Sequence, residues 1–212
     1  MKKNALLFVL LLAATLFAQE DRYTKFMNEQ LLGFDTASSV SSYQKLANSF
    51  ERIASVEKAK WQPYYYASMC NVLSSMQDSA KDMKDLYLDK ASSLLDVADS
   101  LDKNNSEIYT MKGLLGQARM LVNPMERWMK YGQAASDNLE KAKGLDTTNP
   151  RPWYLLGQTA FYTPEQLGGG KAKAMPILLK AKELYDNFKP KTPLDPVWGK
   201  KQLDEFLARV KN

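Results

Sequence analysis

Residues 135–157 read ASDNLEKAKGLDTTNPRPWYLLG, and this stretch decides the fold. Its first half places small and apolar residues at the three- and four-residue spacing of one helix face. These residues are Ala135, Leu139, Ala142 and Leu145. The Asn149-Pro150 pair then interrupts the pattern, and a second helical pattern opens on Trp153. The stretch therefore predicts the end of one helix, a tight turn and the start of the next helix.

An aromatic residue opens such a pattern at nearly constant intervals along the chain. The residues are Tyr64, Tyr109, Trp153 and Trp198, and the gaps between them are 45, 44 and 45 residues. Self-similarity at this period is typical of stacked helical hairpins, because each hairpin must bury its apolar face against the next. We expect an all-α fold of stacked antiparallel hairpins with a C-terminal capping helix. The first three aromatics should pack between hairpins, and Trp198 should mark the cap.

Turn residues divide the chain into units. The predicted hairpins cover about 22–60, 61–105, 106–149 and 150–189, and the capping helix covers 195–212. Together they form a single helical domain over residues 19–212. Ser106 follows the turn at residues 102–105 and is the expected N-cap of the helix that carries Tyr109.

The N-terminus predicts export. Lys2 and Lys3 precede an apolar run over residues 5–14, and Ala18 is a small residue at the expected cleavage site. This is the pattern of a secretory signal peptide over residues 1–18. The apolar run is shorter than the roughly 20 residues that span a membrane, so an anchor is disfavoured. The Phe-Ala-Gln ending resembles signal peptides of Bacteroidota, and the mature protein is expected to be periplasmic or secreted.

The spacing within each unit resembles that of tetratricopeptide repeats. Gly113 and Gly157 stand where that family places a glycine in the first helix, and Ala98, Ala142 and Ala181 stand where it places small residues in the second. The units are longer here, at about 45 residues against 34 in the family. The resemblance implies a concave groove, lined by the first helix of each hairpin, that binds a protein or peptide. The expected groove residues are Tyr65, Met69, Thr110, Gln117, Arg151, Tyr154, Gln158, Phe161 and Tyr162.

The composition offers little for catalysis or for metal binding. The chain has no histidine and one cysteine, which removes the commonest general base and the usual zinc ligands. Asp82, Asp85 and Asp89 lie on one helix face beside lysines, and we interpret them as a solvated, partly ion-paired surface. The Gly168-Gly169-Gly170-Lys171 stretch fails the phosphate-loop pattern, because Ala172 follows the lysine where serine or threonine is needed. No catalytic residue, metal site or cofactor is predicted.

These observations favour an exported binding or scaffold protein without catalytic activity. A solute-binding helper of a transport system is the first alternative, with long helices that enclose a pocket. A carboxylate-dependent enzyme is the second. Nucleic acid is not an expected partner, since arginine clusters interleaved with aromatic residues are absent from the sequence. An open aromatic groove would favour a peptide, and a closed apolar cavity would favour a small molecule.

Overall fold

The computed structural model describes residues 19–211, so the predicted signal peptide over 1–18 lies outside the described residues. The described chain is helical and contains no strand, which confirms the all-α prediction. Helix α1 covers residues 19–31. The following helices are α2 (Val40–Val56), α3 (Trp61–Gln77), α4 (Lys81–Leu101), α5 (Ser106–Val122), α6 (Pro124–Arg127), α7 (Gln133–Leu145), α8 (Pro150–Tyr162), α9 (Lys171–Asn187) and α10 (Lys200–Lys211).

Helices that follow one another in the sequence pack against one another. The most extensive contacts join α2 with α3, α3 with α4, α5 with α7, and α8 with α9. Helix α10 then packs on α9. The last three of those four pairs are the helices that the sequence placed within the hairpins 61–105, 106–149 and 150–189. A π-helical turn, Trp128–Gly132, joins α6 to α7.

Glycine permits the close approach of the two helices within a hairpin. A Cβ atom on Gly113 would lie 2.5 Å from Leu139 Cδ2, and one on Gly157 would lie 2.5 Å from Leu178 Cδ2. Both leucines are fully buried. The hairpin over 61–105 has Ser68 at the position equivalent to Gly113 and Gly157. The Ser68 Oγ donates a hydrogen bond to the carbonyl of Ala91 at 2.9 Å.

Asparagine begins two of the hairpins. The Asn105 side chain accepts hydrogen bonds from the amides of residues 107 and 108, and the Asn149 side chain accepts one from the amide of Arg151. The prediction of Ser106 as the N-cap of α5 was therefore wrong by one residue. Ser106 is already inside the helix, and its Oγ donates instead to the carbonyl of Ala142 at 2.8 Å. The asparagine amide oxygen reaches the free amides of the first turn and satisfies them.

The periodic aromatics divide into two groups. Three of them touch the residue ten positions earlier, on the preceding helix: Tyr64 Oη donates to the Ala54 carbonyl, Tyr109 Oη donates to Asp99, and the Lys143 ammonium lies 4.1 Å from the Trp153 ring centroid. These rings pack between consecutive hairpins. Trp198 differs, because it precedes α10 and packs against both hydrophobic cores of the molecule.

Candidate functional site

A large cavity opens between the helices of the two cores. Its volume is about 1870 Å³, which exceeds the roughly 300–1,000 Å³ of an ordinary small-molecule site. Helices α3, α5 and α8 supply its floor, and the α6 region with the π turn supplies one edge. Residues that precede and begin α10 supply the opposite edge. The cavity is therefore built from both halves of the chain.

Aromatic and methionine side chains dominate the cavity wall. The aromatics are Phe34, Tyr43, Tyr66, Trp128, Tyr154, Tyr162 and Trp198, and the methionines are Met69, Met76, Met120, Met125 and Met129. Aromatic rings give large flat contact surfaces, and the flexible thioether side chains fill irregular gaps. Such a wall suits a ligand that is large and mostly apolar.

The edge formed by α6 and the π turn leaves apolar side chains in solvent. Met125 is 89% exposed, Met129 is 71% exposed and Trp128 is 54% exposed. All three line the cavity. Clusters of exposed apolar side chains are typical of binding surfaces. Among the described residues, no other five-residue stretch contains three exposed large hydrophobic side chains.

Arg127 of this edge and Arg119 of the adjoining α5 both form ion pairs with α4. Arg127 Nη1 and Nη2 donate to the two carboxylate oxygens of Asp85 at 2.6 and 2.8 Å, and Arg119 pairs with Asp89 at 2.7 Å. The hydrogen bonds from Arg127 hold the pKa of the Asp85 carboxyl below its usual range. The aspartates are ion-paired as the sequence indicated, but their partners are arginines of the neighbouring hairpin rather than lysines of their own helix.

Polar and charged side chains form the smaller part of the cavity lining. Gln117 Nε2 donates to the Leu155 carbonyl and to Thr159 Oγ1, so this amide links α5 to α8. Gln158 also lines the wall, and within residues 19–210 its side chain makes no hydrogen bond. Burial raises the pKa of Tyr154 to about 12, so its hydroxyl is protonated at neutral pH. Charged side chains also belong to the lining: Asp35 after α1, and Asp195, Lys200, Lys201, Asp204 and Glu205 before and within α10.

Neither a metal cluster nor a reactive thiol is found in the described part of the chain. No group of three or more potential metal-ligating side chains lies close together there. Cys70 is fully buried, and burial raises the pKa of its thiol. Among the same residues, no helix is both long enough and apolar enough to cross a membrane.

Comparison with solved structures identifies the family. The HusA haemophore from Porphyromonas gingivalis matches with a TM-score of 0.80 and 34% sequence identity, over 89% of this chain and 92% of HusA. The chain belongs to the HusA family. No family model and no curated protein sequence matches it.

Five of the nine groove residues expected from the sequence line this cavity. They are Met69, Gln117, Tyr154, Gln158 and Tyr162. The other four lie elsewhere: Tyr65, Thr110 and Arg151 are fully buried among the helices, and Phe161 packs edge-on against Phe206 at 5.3 Å. Thr110 donates its hydroxyl hydrogen to the carbonyl of Ser106, within its own helix.

Arg151 points inward because Glu107 neutralises it there. Arg151 Nε donates to Glu107 Oε2 at 2.7 Å, and Nη2 donates to Glu107 Oε1. Asn149 Nδ2 donates to the same carboxylate at 2.9 Å. Burial raises the pKa of Glu107, and the adjacent guanidinium opposes that rise. A buried charge pair with these hydrogen bonds is structural and holds α5 against α8.

Sequence reasoning missed two parts of this candidate site. The first is the edge of Met125, Trp128 and Met129, none of which is among the groove residues expected from the sequence. The second is Trp198, assigned to the cap. A signal existed for the first, because the break at Asn123-Pro124 is followed by three large apolar side chains within five residues.

Proposed function

We propose that this protein is an exported, non-catalytic binding protein that holds a planar, mostly apolar macrocycle of the porphyrin class, haem included. The observation that carries the proposal is the cavity of about 1870 Å³ with its wall of aromatic and methionine side chains. HusA, which belongs to the same family as this chain, is a haemophore, and the term means a protein that carries haem. A porphyrin is flat and apolar over both faces, so it matches such a wall.

The residues present fit a porphyrin whether or not it carries iron. The chain contains no histidine, so the commonest protein ligand of haem iron is absent. Tyrosine and methionine also bind haem iron, and both types line the cavity. Most of the available contact area is apolar, so we propose that contacts to the macrocycle dominate affinity. Iron coordination would add to them.

Titration of the purified protein with protoporphyrin IX and with its iron(III) complex tests this proposal. Saturable binding of both, with dissociation constants within about tenfold of each other, is the expected result. Binding of the iron complex alone would show that metal coordination dominates. Failure of both to bind would overturn the proposal.

A matched pair of variants locates the site. Leu121 lines the cavity and is 58% exposed, whereas Leu86 is 60% exposed and lies outside it. Both are helix residues on the protein surface. Leu121→Ser should weaken porphyrin binding, and Leu86→Ser should leave it unchanged. Equal effects of the two changes would place the binding site elsewhere.

A protein or peptide segment is the second candidate ligand. The Gln158 amide, without a hydrogen bond among the described residues, and the exposed Tyr162 ring would suit an extended backbone. Competition separates the two cases, because a peptide that occupies the cavity would displace the porphyrin. We retain the other parts of the sequence interpretation as proposals: the signal peptide over 1–18, the single domain over 19–212 and the tetratricopeptide-like register. The tight contacts of Gly113 and Gly157 support that register.

A further inference from the structure

Trp198 lies in the cavity wall and is held from behind by residues far away in the sequence. Its Nε1 donates a hydrogen bond to Tyr65 Oη at 2.8 Å, across 133 positions of sequence. Its carbonyl accepts a hydrogen bond from Tyr185 Oη at 3.1 Å. Tyr65 is fully buried on α3. The indole cannot turn without breaking the hydrogen bond at its ring nitrogen, so its plane is fixed relative to α3.

A buried cation lies close to the same indole. The guanidinium carbon of Arg151 is 5.9 Å from the Trp198 ring centroid and 4.4 Å from that of Phe188. Arg151 is fully buried and does not line the cavity, whereas Trp198 does. The indole therefore contributes to the cavity wall and also lies within cation–π distance of a guanidinium that does not. Because Glu107 fixes the guanidinium, the ring has a rigid support.

The other tryptophan of the cavity wall lacks such support. Trp128 is 54% exposed, and within residues 19–210 its ring nitrogen makes no hydrogen bond. A ring that must be ordered on binding costs conformational entropy, whereas a ring already fixed does not. Of the two, Trp198 therefore offers the preorganised flat surface.

This inference rests on the proposed function. We propose that the macrocycle stacks on Trp198 and that Tyr65 is a positioning residue that acts through Trp198. A fixed indole favours a rigid, flat aromatic ligand, because only such a ligand can contact the whole ring face. A flexible apolar ligand of similar size gains little from it. Trp198 thereby sets specificity for planar macrocycles.

Binding of protoporphyrin IX and of oleic acid to Trp198 variants tests the role of the ring. Trp198→Ala should weaken porphyrin binding about tenfold, since an aromatic contact contributes roughly that factor. Oleic acid binding should change by less than about twofold. Trp198→Phe keeps an aromatic ring, so the fold should be retained. We expect it to weaken porphyrin binding by less than Trp198→Ala does. Trp153→Phe is the matched control, because Trp153 is half-buried and lies outside the cavity lining.

A double-mutant cycle tests the positioning by Tyr65. Tyr65→Phe removes the acceptor of the indole hydrogen bond and keeps the buried ring, so porphyrin binding should weaken about threefold. In the Trp198→Phe background the same change should have no further effect, because the hydrogen bond is already gone. Tyr65→Phe should also shift the Trp198 fluorescence of the protein without ligand. A purely structural role for Tyr65 would give equal losses in both backgrounds.

The outcomes distinguish this inference from the function on which it rests. If the wild-type protein binds neither porphyrin, the proposed function and the inference both fail. If the wild-type protein binds porphyrin and Trp198→Ala binds it equally well, the inference alone is wrong. If Trp198→Ala loses porphyrin and oleic acid to the same extent, Trp198 supports the cavity but does not select planar ligands, and the inference is again overturned.

Discussion

Glu107 and Arg151 occupy equivalent positions in consecutive hairpins, two residues before Tyr109 and Trp153 respectively, and they form a buried ion pair. The pair links the first turn of α5 to the first turn of α8. Arg151 is fully buried and Glu107 is 14% exposed in its side chain. Either charge alone would be left buried without a partner, so removal of one of the two should be strongly destabilising.

Replacing Arg151 by leucine should destabilise the protein in a pH-dependent manner. At neutral pH the loss should be about 3–5 kcal/mol, because Glu107 remains buried without its partner. Burial already raises the pKa of Glu107, and removal of the guanidinium raises it further. A raised carboxyl pKa favours the folded state below the unfolded pKa and loses that advantage as pH rises. The stability deficit should therefore be smaller near pH 4, measured by urea unfolding at several pH values.

The control for that experiment is an exposed ion pair. Lys180 and Glu183 form one on α9, with side chains 41% and 62% exposed. Lys180→Leu should change the free energy of unfolding by at most about 1 kcal/mol at any pH. A deficit in Arg151→Leu that does not vary with pH would contradict the role assigned to Glu107.

Helix packing within a hairpin predicts that Gly→Ala substitutions at two positions on neighbouring helices change the stability in opposite directions. A Cβ on Gly113 would meet Leu139 Cδ2 at 2.5 Å and the Ala135 carbonyl oxygen at 3.3 Å, so Gly113→Ala should cost about 1–3 kcal/mol. Gly144, in the last turn of α7, has nothing within 4 Å of its added Cβ. Gly144→Ala should stabilise the protein by about 0.5 kcal/mol, through the better helix propensity of alanine. Thermal and urea unfolding measure both changes, and destabilisation by Gly144→Ala would contradict the packing described.

The sequence was sufficient for the helices and for much of their pairing, because both depend on local information. Apolar spacing and turn residues are properties of neighbouring positions, and the 44–45-residue recurrence identified equivalent helices. The cap was misplaced by one residue since Asn105 and Ser106 are both good N-caps. Only the backbone conformation at residue 105 decides between them.

The site was harder to predict because it depends on which helix face turns inward. The tetratricopeptide register placed Arg151 in the groove. Its guanidinium instead points toward Glu107, with which it forms an ion pair. Opposite charges at equivalent positions 44 residues apart could have revealed the pair. Trp198 could not be found this way. Its contact with Tyr65 depends on how the chain after α9 folds back across the molecule, which no local pattern encodes.

Two tyrosines of α8 should separate binding from stability. Tyr162 lines the cavity and is 69% exposed, so Tyr162→Ala should weaken porphyrin binding and cost less than about 1 kcal/mol of stability. Tyr154 also lines the cavity but is only 6% exposed, and Tyr154→Ala should cost about 3 kcal/mol in addition to its effect on binding. Parallel titrations and urea unfolding measure the two quantities. Unchanged binding by Tyr162→Ala would remove that residue from the site.

Acidification should release the edge of the cavity that carries Trp128. Arg127 holds the pKa of Asp85 below its usual range, so this ion pair stabilises the fold above the ordinary carboxyl pKa of about 4 and loses that contribution as pH falls through the lowered value. Because Asp85 is 36% exposed, the effect on global stability is small, about 1 kcal/mol at most. The effect should be seen mainly in the conformation around Trp128, since Arg127 directly precedes the π turn that begins there. We expect Trp128 fluorescence to change at acid pH before the protein unfolds, and Asp85→Asn to show the acid spectrum already at pH 7. Asp82→Asn is the control, because Asp82 lies on the same helix and has no ion pair among the described residues; it should behave as wild type. If the acid transition persists in Asp85→Asn, another carboxyl group causes it.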